Sequence, residues 1–339
     1  MDIPLSTTPR RGAVLPLLQE IAAELGLDFV VEPDYGFAAQ LNLANGHRRY
    51  FRGTTFDLNP AGATDIANDK DYSNFFLRRL GYNVPEGAAF FTRAWARAIG
   101  IDRGPDAAWA YARSLGLPVY VKPNTKSQGL GVSLAHNRRE FYRAVTAASR
   151  EERVYLVQRP ALGLDYRLVT LDGDLISAYE RAPLAVVGDG ASTVRQLLAA
   201  KQASFRANGR DTRLDPADGR IASTLAHHGL ALESVLAESR QVQLLPIANL
   251  SAGGDARDVT DSVHPEWHRL SAMIARDMNL RFAGIDVITP GALAEPPAEY
   301  VILEVNAAPG LDNYAASGDA QSRLVRDLYR RVLDALADD

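Results

Sequence analysis

Two apolar segments near the C-terminus constrain the fold of this chain more than any other feature. FAGIDVIT at 282–289 contains Asp286, and YVILEVN at 300–306 contains Glu304 and Asn306. Both have the short, apolar, β-branched pattern of buried strands. Glu304 and Asn306 are two residues apart and therefore lie on one face of their strand. A buried carboxylate is costly unless it is paired or metal-bound, so the fold has to supply partners for these side chains.

Asp286, Glu304 and Asn306 together form a hard oxygen donor set. Carboxylate and amide oxygens suit Mg²⁺ that is held jointly with substrate phosphates. We therefore predict a magnesium site at these three residues. The alternative interpretation is three satisfied polar groups at strand ends.

The rest of the chain alternates helix and strand patterns, which predicts an α/β (α+β) fold. YRLVTLDGDLISAYER at 166–181 predicts a hairpin that turns at Asp172-Gly173. The polar stretch Phe205 to Arg220 is expected to be an excursion or lid. Helices are predicted at 12–26, 65–80, 105–115, 139–149, 264–280 and 322–337, and further strands at 29–33, 47–58, 117–123 and 154–159.

Size and composition narrow the function classes. A chain of 339 residues exceeds the usual single core, so two or three subdomains are expected. The net charge of -4 argues against general nucleic-acid binding, and the lack of cysteine excludes disulfides and thiolate chemistry. The N-terminus lacks a signal-peptide pattern, and no apolar run reaches membrane-spanning length. We expect a cytoplasmic protein without nucleic-acid or membrane partners.

A glycine-bearing loop, Asn124 to Ser133, follows the strand pattern VYVKP. Such a loop can fold its backbone N–H groups around phosphate oxygens, because glycine permits close approach. Lys122 on the preceding strand would direct a positive charge to the same place. The loop matches neither G-x-x-x-x-G-K-[ST] nor G-x-G-x-x-G, so a plain glycine turn beside a surface lysine is the alternative.

The motifs KPNTKSQGLGV, VQRPALGLDYRLV, GIDVI and LEVNAAPG, in this order, resemble the ATP-grasp superfamily. DIANDKDYSNFFLRRLGYNVPEG, VVGDGASTVRQLL and ANLSAGGDARDVTDSVHP resemble more specifically the ATP-grasp modules of cyanophycin synthetases and bifunctional glutathione synthetases. The resemblance covers Asp57 to Leu336, and we expect a stand-alone relative of those larger enzymes. It implies an ATP-grasp fold with a small N-terminal α/β domain at 1–92 and two α+β subdomains that clasp ATP, at 93–161 and 162–339, with the lid at about 205–220.

The resemblance also implies a nucleotide site. Lys70 and Lys122 correspond to phosphate-contacting lysines, and Asp165 to the acid that holds the ribose hydroxyls. An exposed helix lysine is the alternative for Lys70. Arg167 resembles a phosphate-facing arginine, with a surface salt bridge as its alternative. The remaining residues correspond to the flexible phosphate loop, Ser127, Gly129, Leu130 and Gly131, and to the adenine-binding linker, Gln158, Arg159 and Ala161.

The acceptor side carries one departure from the family. NLSAGG resembles the loop near the acceptor and the transferred phosphoryl group, with Asn249, Ser251, Gly253 and Gly254 as its residues. An ordinary glycine turn is the alternative for this loop. The preceding strand usually supplies an arginine, but Leu245 stands about there. The charges that can replace it are Arg181, Arg257, Arg281 and Lys126, and the expected catalytic set is Arg167, Lys126 and Arg281.

The implied reaction is an ATP-dependent carboxylate-amine ligation through an acyl-phosphate, with ATP and two Mg²⁺ ions as cofactors. The substrates are expected to be small molecules, an amino acid or short peptide among them, and a homodimer is one expected oligomeric state. A phosphotransferase, motivated by Leu245, and a non-catalytic ATP-binding protein remain alternatives. His227 and His228 have no third ligand at metal spacing. His264 and His268 are four residues apart, but a proline follows His264, so a zinc site is the less favoured interpretation there.

Overall fold

The computed structural model describes residues 14–210 and 212–338. Over these residues the chain folds into α-helices and four antiparallel sheets, as the α/β (α+β) prediction required. Residues 12 and 13 of the first predicted helix lie outside the described range. No helix in the two described ranges is both long and apolar enough to cross a membrane.

The N-terminal part is a helix on a four-stranded meander. Leu15, Leu18 and Ile21 recur at helical spacing and are buried, which gives α1 its core-facing side. This layer shares one hydrophobic core with the C-terminal helix and with Phe282 of the C-terminal sheet. Its elements are α1 (Val14–Glu24), β1 (Asp28–Val31), β2 (Ala38–Asn42), β3 (Arg48–Arg52) and β4 (Thr55–Phe56).

The single helix predicted at 65–80 is wrong, because two helices, α2 (Ala61–Asn68) and α3 (Lys70–Arg79), meet at Asp69. Asp69 is extended, and its carboxylate caps α3 by accepting from the backbone N–H of Tyr72 at 2.9 Å. Its other oxygen accepts from Asn124 Nδ2 at 2.7 Å. The break makes Lys70 the first residue of α3 and buries it.

The central part is an antiparallel sheet in the order β5-β8-β6-β7, covered by two helices. Because β5 pairs with β8 along its whole length, we propose that this subdomain begins before Gly87 rather than after residue 92. Its elements are β5 (Gly87–Phe91), α4 (Arg93–Ala98), α5 (Pro105–Leu115), β6 (Val119–Pro123), β7 (Ser133–Ala135), α6 (Arg138–Glu151) and β8 (Val154–Gln158).

The C-terminal part is a five-stranded antiparallel sheet in the order β13-β10-β9-β14-β15. The predicted hairpin turn is present, with positive φ at Asp172 and Gly173, as a two-residue turn of this kind requires. One face of the sheet packs on α9 through Trp267 and Ile274. The elements are β9 (Leu164–Leu171), β10 (Asp174–Ala182), β13 (Asp255–Asp258), α9 (Pro265–Asp277), β14 (Phe282–Thr289), β15 (Val301–Asn306), α10 (Asp312–Ala315) and α11 (Asp319–Ala337).

The excursion is larger than the polar stretch predicted at 205–220. That stretch begins inside α7 and ends inside α8, and residue 211 lies outside the described range. The whole excursion has its own apolar core, which includes Leu198, Leu225 and Leu245. Its elements are β11 (Ala185–Val187), α7 (Val194–Ala207), α8 (Gly219–His227) and β12 (Gln241–Gln243).

Candidate functional site

A row of charged side chains crosses the C-terminal sheet. Arg167 of β9 is in register with Asp286 of β14, and Asp286 is in register with Glu304 of β15. Directly opposed residues of antiparallel strands project on the same face. The side chains of Arg167, Asp286 and Glu304 therefore lie next to one another on one face of the C-terminal sheet. Asn306 lies on the same face of β15 as Glu304.

Asp286 is the centre of a buried ion-pair network. It is 3% exposed and accepts from Nε and Nη2 of Arg167, the latter at 2.9 Å. Arg181 Nη2 lies 3.0 Å from its Oδ2. Arg181 also donates Nε and Nη2 to Asp165 Oδ1, at 2.8 and 2.6 Å. Burial raises the pKa of Asp165 to about 6, against the opposing effect of Arg181.

Glu304 is held ionised by neighbouring cations. Burial opposes its charge, but Lys70, Lys122 and Arg167 outweigh burial and lower the pKa of the carboxyl well below its ordinary value. Lys70 Nζ lies 3.2 Å from Glu304 Oε2 and donates to the backbone oxygen of Lys126 at 2.7 Å. Asn306 Nδ2 donates to Glu304 Oε1 at 3.3 Å.

Lys122 of β6 faces this row from the central subdomain. Burial, followed by repulsion from Lys70, lowers the pKa of its ammonium to about 8, while Glu304 and Asp286 act in the opposite direction. Two ammonium groups crowded in this way favour an anionic ligand between them, because an anion relieves both the repulsion and the desolvation.

A cavity of about 390 Å³ lies between the central and C-terminal sheets. Twelve of the residues predicted from the sequence line it. They come from the start of α3, from β6 and the phosphate loop after it, from the end of β8 and the linker that follows, from β9, β14 and β15, and from the 249–254 loop. They are Lys70, Lys122, Lys126, Ser127, Gly129, Gln158, Arg159, Ala161, Asp165, Asn249, Asp286 and Glu304.

A second cavity of about 280 Å³ shares Ser127, Asn249 and Glu304 with the first. It holds the predicted residues Arg167, Ser251 and Asn306, together with Arg181. The two cavities therefore meet at the row of charged side chains formed by Arg167, Asp286 and Glu304. The second cavity is the one beneath the 249–254 loop.

The phosphate loop and the 249–254 loop touch one another at Gly129. Its φ is +71°, and a Cβ there would collide with Ile247 Cδ1 and lie 2.9 Å from Asn249 Oδ1. Glycine is needed at this position for both conformation and close approach. Ser251 Oγ donates to the backbone oxygen of Gln128 at 3.4 Å in the same contact.

Some predicted site residues lie elsewhere. Leu130 and Gly131 line neither of these two cavities. Gly253 and Gly254 also lie outside both, and their N–H groups bond within the loop to Leu250 O and Asn249 O. A Cβ at Gly253 would collide with Leu214 Cδ2, and one at Gly254 would lie 2.6 Å from Ala182 O. These two glycines therefore shape the loop.

Arg281 is a correction to the predicted catalytic set. Its Nε donates to Asp172 Oδ1 at 2.6 Å and its Nη2 to Asp172 Oδ2 at 2.9 Å. Asp172 is in the hairpin turn, so this ion pair ties β14 to the end of the sheet and not to the cavities. We remove Arg281 from the candidate catalytic residues.

Of the charges that can replace the arginine missing at Leu245, Arg181 is the buried one that lines both cavities. Leu245 itself packs in the core of the excursion, and Arg257 pairs with Glu180 at the exposed sheet edge. The sequence analysis named Arg181 only as one of four possible replacement charges, and the strand register now places it opposite Asp165.

Two arginines that the sequence analysis missed hold the loops. Arg210 is buried, and its Nη2 donates to Leu250 O and to Gly254 O, the latter at 2.6 Å. Arg220 Nη1 donates to Gly129 O at 2.9 Å. Both come from the excursion and act on carbonyls 40 or more residues away, which no local sequence pattern reveals.

Comparisons with known proteins agree with this architecture. No family model matches the sequence. Cyanophycin synthetase from Crocosphaera subtropica is 32% identical over 297 residues, which cover 85% of this chain and 33% of that protein. Glutathione biosynthesis bifunctional protein GshAB from Mannheimia succiniciproducens is 32% identical over 254 residues, which cover 72% of this chain and 32% of that protein. The chain thus spans about a third of the length of these relatives.

Two solved structures share the fold. The bifunctional glutathione synthetase from Pasteurella multocida superimposes with a TM-score of 0.56 at 22% identity, over 95% of this chain and 45% of that one. The D-alanine–D-alanine ligase from Bacillus anthracis gives a TM-score of 0.50 at 14% identity, over 83% of this chain and 69% of that one.

Proposed function

Since the chain belongs to the ATP-grasp superfamily, as its motif order predicted, we propose that it is an ATP- and Mg²⁺-dependent ligase that joins a carboxylate to an amine. The proposal rests on one observation above the others. Two cavities meet at Glu304, in the row formed by Arg167, Asp286 and Glu304, so the first can take the nucleotide and the second the carboxylate and amine substrates.

The first cavity has the charges that a nucleotide triphosphate needs. Lys70, Lys122 and Lys126 line it, and ammonium groups pair well with phosphate oxygens. Gln158 and Ala161 line the same cavity near the end of β8, where backbone groups can bind adenine. Asp165 keeps both of its bonds to Arg181 on Oδ1, and we assign Oδ2 to the ribose hydroxyls.

Asp286, Glu304 and Asn306 would hold Mg²⁺. The fit rests on their chemistry, because one buried carboxylate, one half-buried carboxylate and one amide oxygen stand on adjacent strands. In this arrangement Lys70 and the arginines neutralise the carboxylates. Bound Mg²⁺ would neutralise phosphate charge as it develops during transfer. Two ions, as the family resemblance implies, are part of the proposal.

The chain's own cations orient the reacting groups. Arg167 and Arg181 line the second cavity, where they can bind the donor carboxylate, which favours an amino acid or short peptide. A carboxylate oxygen attacks the γ-phosphorus of ATP, the bond to the bridging oxygen breaks, and ADP leaves. The amine nitrogen then attacks the acyl carbon, phosphate leaves, and the nitrogen gives up a proton. Asn249 lines both cavities and Ser251 lines the second, and these two residues would position the acceptor.

Closure of the two loops protects the acyl-phosphate. Gly129 packs on Asn249, and Arg220 holds the phosphate loop from the excursion. Excluding water at this contact prevents hydrolysis of a reactive intermediate before the amine arrives.

The alternative is a phosphotransferase that stops at a phosphorylated product. Its motivation, the missing arginine at Leu245, is weakened by Arg181 in the second cavity. Amino acids and dipeptides should be screened for ADP release, with mass spectrometry of the products. A ligase forms an amide only when an amine is present. A stable phosphorylated product formed equally without an amine supports the phosphotransferase, and no turnover with any donor supports a non-catalytic ATP-binding protein.

A further inference from the structure

Two histidines and a glutamate meet where the excursion contacts the central subdomain. His136 precedes α6, Glu140 is in the first turn of α6, and His227 is the last residue of α8. His136 Nδ1 lies 3.1 Å from Glu140 Oε2. His227 Nε2 lies 3.1 Å from Glu140 Oε1 and 3.3 Å from Oε2. No sequence pattern pointed to this cluster, because its histidines are 91 positions apart.

The three groups have the composition and spacing of a transition-metal site. One ligand atom from each lies within 4.8 Å of the others. Zn²⁺ binds imidazole nitrogen and carboxylate oxygen at about 2.0–2.2 Å in tetrahedral geometry, which separates neighbouring ligand atoms by about 3.3 Å. The observed separations of 3.1 and 3.3 Å are close to that value. Small shifts of the imidazoles would therefore admit the ion.

The Glu140 carboxylate is already oriented by hydrogen bonds from residues that precede α6. The N–H of His136 donates to Glu140 Oε2 at 2.9 Å, and Asn137 Nδ2 donates to Oε1 at 2.7 Å. Metal ligands are commonly held in place by such outer hydrogen bonds.

We propose that His136, Glu140 and His227 bind one Zn²⁺ ion, with the fourth position open to the cavity between α6 and α8. That cavity has a volume of about 770 Å³, and all three side chains line it. The side chains of His136 and His227 are 34% and 36% exposed, so the ion can enter from solvent. The site is separate from the Mg²⁺ ligands of the proposed function, and its existence does not depend on that function.

The position of the site gives it a mechanical consequence. Helix α8 carries His227 at one end and Arg220 at the other, and Arg220 donates to the phosphate-loop oxygen of Gly129. An ion shared by α8 and α6 would fix the helix that holds this loop. Zn²⁺ therefore restricts opening of the phosphate loop without contacting the nucleotide.

The test is Zn²⁺ and Co²⁺ binding to the full chain, with His227→Ala as the variant and His228→Ala as the matched control. His228 is adjacent in sequence and lines the same cavity, but it is outside the cluster. We expect one Zn²⁺ per chain in the wild type and in His228→Ala, and at least about tenfold weaker binding in His227→Ala. Co²⁺ should show the strong visible absorption of tetrahedral coordination in the first two proteins only.

Equal Zn²⁺ affinity in wild type and His227→Ala, or no tetrahedral Co²⁺ spectrum in the wild type, overturns the proposal. The three side chains would then form only a hydrogen-bonded contact between α6 and α8. Zn²⁺ bound at Asp286 and Glu304 would not respond to His227→Ala, so it does not confuse the comparison. If His227→Ala does not fold, His136→Ala replaces it, because its backbone N–H bond to Glu140 survives the change.

Discussion

Arg181 is the residue whose removal tests the buried charge network most sharply. Its side chain is 6% exposed and faces two carboxylates, Asp165 and Asp286. Arg181→Met keeps most of the side-chain volume and removes the charge. Asp286 retains Arg167 as a partner, whereas Asp165 loses both of the hydrogen bonds that it receives from Arg181.

The expected cost follows from this asymmetry. Removing one partner of a buried ion pair destabilises a protein by about 3–5 kcal/mol. Part of the cost is avoidable, because Asp165 can take up a proton. Its pKa is about 6 in the wild type, raised from the ordinary 3.8, and losing Arg181 raises it further.

The pH dependence has a definite sign. A carboxyl with a raised folded-state pKa contributes stability below its unfolded pKa and loses that contribution as pH rises through the folded value. In the wild type this loss lies between about pH 4 and 6, and in Arg181→Met it extends above pH 6. The destabilisation should therefore grow by up to about 1.4 kcal/mol per pH unit above 6.

Urea unfolding at pH 6 and pH 8 measures this effect. The matched control is Arg257→Met, which removes an exposed arginine from its pair with Glu180 and should cost at most about 1 kcal/mol at both pH values. The account is wrong if Arg181→Met is no more destabilising than the control, or if its destabilisation does not increase with pH. In either case Arg181 does not neutralise Asp165 and Asp286 in the way proposed.

Three further variants test the site. Glu304→Ala should leave the fold largely intact and abolish Mg²⁺-dependent ATP consumption; near-normal consumption contradicts the metal assignment. Lys122→Met should weaken ATP binding by about 1–3 kcal/mol in calorimetry. Because an anion favours the charged ammonium, wild-type affinity should also fall as pH rises through about 8, and a variant that keeps this dependence refutes the role. Gly129→Ala should raise KM for ATP and cost more stability than Gly209→Ala, which has the same φ of +71° but open space; equal thermal stability would remove the close approach as an explanation.

The strands of the site were predictable because their burial and the direction of their side chains follow from the residues of each strand itself. FAGIDVIT and YVILEVN are apolar enough to be buried, and the polar residues within them then have to share a face. The hairpin at 166–181 followed from Asp172-Gly173 in the same way. Motif order added the family, and with it further residues that line the first cavity, among them Lys70, Gln158 and Asp165.

The errors come from contacts between distant segments. The break between α2 and α3 depends on a hydrogen bond from Asn124, more than 50 residues away. In the sequence, Arg281 and Arg181 were equivalent candidates to replace the missing arginine. In the structure, Arg281 forms an ion pair with Asp172 in the hairpin turn. Gly253 and Gly254 line neither cavity, and neighbouring residues approach them closely. Tertiary packing determines the helix break, the ion pair of Arg281 and the surroundings of the two glycines, and local sequence propensity does not predict tertiary packing.

The central claim is that the joined cavities form an acyl-phosphate and pass it to an amine. Hydroxylamine traps an acyl-phosphate as a hydroxamate, so the direct measurement is hydroxamate formation with ATP, Mg²⁺ and each candidate carboxylate. The account predicts weak ATP hydrolysis alone, and ADP release matched by hydroxamate, or by amide when the natural amine is present. Donor-dependent ADP release with neither hydroxamate nor amide would contradict it and leave a phosphotransferase.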